Sequence, residues 1–186
     1  SVSSGTTTID LGSAKVVTKN YTSISITGTG KLAFSNPHST GTLIILKSQG
    51  AVTLTSSTNP NIDASALGSA GGAASSNPGT TAVPLSDEGT NHHGLANVGG
   101  TGGVGGAVYA NGGLYTISSG RFRAFGLFVG CGSGGASGAS AANGAGGVGG
   151  RGGGSLIIEC AGDLNATGNC TCAGGAGGAG TGSGGG

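Results

Sequence analysis

Methionine and tryptophan are absent from the 186 residues, aromatic residues make up 4% of the chain and charged residues 7%. With so few large side chains, any packed core has to be built from Val, Ile and Leu. Charge is as scarce. A formal net charge of +1 supplies no basic face for nucleic acid and no acidic bias, so steering towards a polyanion is not expected. No apolar run approaches the ~20 residues that a membrane-spanning helix requires, and no membrane span is expected. The chain opens on Ser1 without Met or a signal peptide and closes at Gly186 inside a glycine pattern, as expected of a processed product or a fragment of a longer protein.

Glycine is plentiful, at 46 residues where about 7% is usual. It has the most backbone freedom to lose on ordering. Ordered glycine runs therefore need backbone hydrogen bonds between neighbouring segments to offset that loss. Low charge with abundant Ser and Thr points to an exported protein, extracellular or on a cell or virion surface. Cys131, Cys160, Cys170 and Cys172 agree with an oxidising compartment. As disulfide candidates these four allow three pairings. The single C-x-C pair lacks the partner spacing of a zinc site.

From Val2 to Leu67 the residues read as short strands. Ser23–Thr27 alternates polar and apolar, Leu32–Phe34 follows two glycines, and Leu43–Leu46, Val52–Leu54 and Ile62–Ala66 come after. Starts at 24, 32, 43, 52 and 62 recur at the spacing of a β-sandwich or β-solenoid. Leu43–Leu46 is apolar on both faces, as a central strand requires. Asn36-Pro37 and Asn59-Pro60 are turn signals. No window carries a 3.6-residue apolar period, so essentially no α-helix is expected.

After Leu67 the composition changes. Gly68–Gly72 opens a glycine segment, and Ser75–Val98 is a long polar loop, expected to protrude and to meet a partner. From Gly99 to Ala107 a non-glycine residue stands at every third position. The same period returns at Ala145, Val148 and Arg151, and at Ala176 and Ala179. Three residues per turn is the period of a polyproline-II-type helix, whose glycine edges let backbones approach closely. Collagen is excluded by broken runs and only 4 Pro. The expected organisation is a β-rich unit over 1–67, a glycine start and polar loop over 68–98, and a glycine-rich array with interspersed strands over 99–186. The fold class is all-β throughout.

Arg121–Val129 reads as a core strand, with Arg121 and Arg123 on its exposed face as a contact patch for a glycan or partner protein. An internal repeat aligns Gly41–Ile45 with Gly154–Ile158 at an offset of 113, and Gly50–Val52 with Gly162–Leu164 at 112. Each copy runs through a second strand into glycine. Repeated units of this kind bury their faces against one another.

Catalytic chemistry is not expected. Gly144–Gly149 matches G-x-G-x-x-G, but the strand and helix of a dinucleotide fold are missing around it. No nucleophile elbow occurs. Asp87, Glu88, His92 and His93 form the one cluster with ligand chemistry; adjacent histidines project apart on extended backbone, so the cluster is read as a receptor or partner contact, with no metal and no cofactor. Asn20, Asn165 and Asn169 stand in N-glycosylation patterns.

The period-three runs at Gly99–Ala107, Gly144–Gly154 and Gly174–Gly186 resemble the glycine-rich adhesin tips of some phage tail fibres and repetitive exported surface proteins of bacteria. That resemblance implies bundled glycine helices and receptor contact by loops, here Ser75–Val98. The expected function is a non-enzymatic structural or adhesive subunit of a surface fibre, filament or tail-fibre tip. It would be homo-oligomeric or filamentous through its strand edges and glycine helices, with a cell-surface receptor or glycan as partner. The alternative is ice binding, suggested by Thr27 and Thr29 and by Thr53 and Thr55, although these pairs do not recur at one fixed spacing.

Overall fold

The computed structural model of the chain describes residues 1–71, 122–124, 127–129 and 147–180. It opens with β1 (Thr6–Asp10), then β2 (Val16–Tyr21), β3 (Ile24–Ile26) and β4 (Lys31–Ser35). A second group follows, β5 (Leu43–Ser48), β6 (Val52–Leu54) and β7 (Ile62–Asp63). After β8 (Phe122–Ala124) and β9 (Leu127–Val129) comes a last group, β10 (Ser155–Cys160), β11 (Leu164–Ala166) and β12 (Cys170–Thr171). No helix occurs among the described residues.

The strands form three sheets, ordered β10-β5-β2, β11-β6-β3 and β1-β4-β7-β12; the second and last groups send one strand to each, and the first sends β2 and β3 to one each and both β1 and β4 to the third. Every pairing within them is parallel. Successive groups therefore lie on one another, and a residue finds its equivalent directly across the ladder. The last group belongs to the same sheets as the first two. The β-rich unit expected to close at residue 67 thus takes in 155–171 as well. β5 is the central strand of its sheet, as its two apolar faces require.

β10 stacks on β5 at a uniform offset of 112 residues, Ser155 beside Leu43 and Cys160 beside Ser48. β11 keeps the same offset on β6. The sequence alignment of the first strand at 113 is therefore one residue out. Parity explains the correction, because a one-residue slip turns every side chain to the other face. At 112, Leu156 and Ile158 follow the buried Ile44 and Leu46, and Glu159 falls beside Lys47, with Nζ 3.0 Å from Oε2. At 113, Glu159 would lie against the buried Leu46.

One core serves all three sheets. Ile24, Ile26, Leu32, Ile44, Leu46, Val52, Leu54 and Ile62 form a single buried cluster, with the intervening polar residues turned outward. The turns are held by side chains. Thr42 Oγ1 donates to Ala14 O at 2.8 Å, Ser48 Oγ to Gly50 O at 2.9 Å and Asn61 Nδ2 to Ser56 O at 3.0 Å. Asn36 adopts a left-handed φ of 52° in its turn and donates from Nδ2 to Asp10 Oδ2 at 3.0 Å. On edge strand β2, Val17, Lys19 and Tyr21 share the core-facing side, with Lys19 beside Leu46 in the register.

The segment expected as one strand over 121–129 is an antiparallel pair, Phe122 opposite Val129 and Ala124 opposite Leu127. Two residues separate the strands, the length of a tight hairpin connection.

Two measurements test this account. Leu46→Ala should lower stability by about 2–5 kcal/mol in denaturant unfolding, the usual cost of emptying a buried leucine site. A pH titration should reveal the bond from Lys31 Nζ to Asp63 Oδ2, 2.7 Å long between β4 and β7. Desolvation raises the Asp63 pKa, but the bonds from Lys31 and Ser65 outweigh it and hold the carboxyl below its ordinary range. Its stabilisation is then complete above the unfolded carboxylate value of about 3.9 and is lost as pH falls through the lower folded value. Asp63→Asn should flatten that part of the acid limb.

Candidate functional site

The feature most dependent on residue identity is the junction of three glycine-rich segments, 68–71, 147–154 and 172–180. The first follows β7, the second precedes β10 and the third follows β12, so all three meet at one corner between sheets. Gly175 N donates to Arg151 O and Gly178 N to Val148 O, each at 2.8 Å. One partner advances by three residues as the other retreats by three, so the second and third segments run antiparallel with a shared repeat of three. On the other side Gly68 N donates to Gly152 O at 2.7 Å and Gly152 N to Ser69 O at 2.9 Å. The 147–154 segment is thus the middle member.

Space decides which positions must be glycine. A Cβ added at Gly147, Gly150 or Gly153 would run into the carbonyl oxygen of Gly178, Gly175 or Cys172, again in steps of three, and one at Gly71 would meet the carbonyl of Gly149. None of these four has a positive φ. Glycine is there for the closeness of the backbones, which interlock as a comb. Val148, by contrast, is 47% exposed.

Arg151 ties the corner together. Its Nη2 donates to His38 O at 2.7 Å and to Gly68 O at 2.9 Å, linking the ends of the first two groups to the third. Burial lowers its pKa from the ordinary arginine value. Sequence reasoning placed Arg151 only as one non-glycine position of the period; an arginine standing alone in a glycine run was the available signal for its role.

The residues singled out from sequence fall elsewhere. Asp87, Glu88, His92, His93, Arg121 and Cys131 lie outside the described residues, as do Gly99–Ala107 and the Ser75–Val98 loop. Arg123 lies in β8. Asn20, Asn165 and Asn169 are exposed. Cys160 and Cys170 are free thiols, Cys160 half-buried and Cys170 exposed, and with the exposed Cys172 they fall within the last group of strands and its end. Asn20, Lys47, Gln49 and Glu159 line a surface groove of about 460 Å³. An apolar pocket of about 170 Å³ opens beside Val2, Ile9, Ile24 and Tyr21. Among the described residues no three His, Cys, Asp or Glu side chains gather as a metal site requires, and no helix is long and apolar enough to cross a membrane.

Comparison with protein-family models, curated proteins and solved structures gives no match for this chain.

Hydrogen exchange tests the interlock. Gly150→Ala should strip protection from the Gly175 and Gly178 amides and cost roughly 1–3 kcal/mol, as overpacking does. Gly174→Ala, whose new Cβ would stand 3.3 Å from Arg151 O, should leave them largely protected.

Proposed function

We propose that this chain is a non-enzymatic structural and adhesive protein of the extracellular or cell or virion surface, a subunit of a fibre, filament or tail-fibre tip. In this reading the three parallel sheets are the walls of a short β-solenoid. The glycine segments are polyglycine-II-type helices bundled at one of its corners. The period-three interlock of Gly147, Gly150 and Gly153 carries the proposal, since such a device holds backbones together and leaves no room for side chains to do chemistry.

Other features support it. The buried polar side chains of Thr42, Ser48, Asn61 and Ser69 are engaged in holding the backbone. Among the described residues, strands β2 and β10 are the outer members of their sheet. Val16 on β2 and Leu164 on β11 are 42% and 59% exposed. A parallel sheet with an unpaired outer strand is a template for a further strand, from the same chain or from another copy. Stacked units that bury their faces only against neighbours gain stability with each added unit.

Sedimentation and negative-stain electron microscopy of the purified chain test the assembly. Elongated multimers or fibre tips are expected; a compact monomer at every concentration would sink this reading.

A further inference from the structure

The outer face of the β11-β6-β3 sheet carries an ordered array of small polar side chains that make no hydrogen bond to other described residues. Val2 pairs with Ile26, Ile26 with Leu54 and Leu54 with Ala166. Ser1, Ser25, Thr53 and Asn165, which precede these residues, therefore form one file across the sheet. The ladder continues one residue further, through Thr27 N to Val2 O, Thr55 N to Ile26 O and Thr167 N to Leu54 O, at 2.9–3.0 Å. Ser3, Thr27, Thr55 and Thr167 form a second file beside the first.

Strand geometry fixes the lattice. Neighbours within a file are about 4.8 Å apart and the two files, two residues apart along each strand, about 6.6 Å. Ile24, Ile26, Val52 and Leu54 point into the core, which turns the intervening residues outward. Ser1, Ser3, Asn165 and Thr167 are exposed, and the four between are half-buried. Seven of the eight side chains carry a hydroxyl and none is charged or aromatic.

These hydroxyls stand apart from others in the protein. Ser48, Ser56, Ser57, Thr58 and Ser69 each donate to a backbone carbonyl. Among the described residues no side chain of the two files is hydrogen-bonded to another protein group. Their donors and acceptors face solvent at a repeating spacing, and the four threonines add methyl groups beside them. Such a face fits a partner that is itself a lattice of hydroxyl-sized donors and acceptors.

We propose that this face binds ice, its two files matching ordered water at the crystal surface. A crystalline polysaccharide presents hydroxyls too, but its sugar faces are gripped by aromatic side chains, and this face has none. The inference is independent of the assembly reading above: it rests on the register of one sheet, and either can fail alone.

Thermal hysteresis and the shape of a growing ice crystal, measured with the whole chain, test it. Wild-type protein should shape ice and depress its growth temperature. Thr55→Lys, in the middle of the array, should abolish both. Thr167→Lys, at its exposed margin, provides a second disruption if the first variant loses its circular dichroism spectrum. Thr18→Lys, exposed on the β2 sheet, should leave activity unchanged. The proposal is overturned if wild-type protein at its highest soluble concentration leaves ice unaffected, if both folded file variants keep full activity, or if the chain is retained on crystalline cellulose or chitin without acting on ice.

Discussion

Parallel register between successive groups of strands is the constraint on which everything else depends. It fixes three things together: which side chains share the core, which charges meet outside it, and where the glycine segments converge. Lys47 meets Glu159, and Ile44 meets Leu156, because a single offset governs the whole of β5 and β10. Were that offset to change by one residue, core and surface would exchange along the entire strand. A protein with few large side chains has little other means of choosing one arrangement, since each group buries only a handful of Ile, Leu and Val.

The sheets and the glycine corner solve the same problem in different ways. In the sheets, burial of branched side chains and backbone hydrogen bonding act together. At the corner, hydrogen bonding acts almost alone, through carbonyls set so close that a methyl group cannot enter at Gly147, Gly150 or Gly153. The second solution is workable because the first has already brought the ends of β7, β10 and β12 together, and Arg151 then joins them through two carbonyls.

Much of this was legible in the residues. Strands beginning at Ile24, Leu43, Val52 and Ile62 were marked by alternation or short apolar runs between turn signals. The glycine period of three was visible, and so was the echo of residues 41–52 at 154–164. β1 was less visible, because Thr6–Thr8 lies at an edge where no apolar residue is needed. Parallel pairing left no local trace, since partners in β2 and β5 lie far apart in the chain and those in β5 and β10 much farther. The same cause hid the hydroxyl files: Thr27, Thr55 and Thr167 are unevenly spaced in sequence because far more chain lies between the last two than between the first two, and become evenly spaced only once the strands are in register. The period also could not distinguish glycines needed for space from those merely tolerated, as that depends on which carbonyl lies opposite.

The corner where the glycine segments meet also separates the length of the chain from the integrity of the sheets. Gly71 and Gly149 lie against each other at that corner although they are far apart in the sequence, and β10 and β11 meet β5 and β6 at one common offset. The register of β10 and β11 is thus set by pairing across the ladder and not by their distance from β7 along the chain. The interlock thus works as a socket. Segments far apart in the sequence plug into it and are delivered to the same place on the stack.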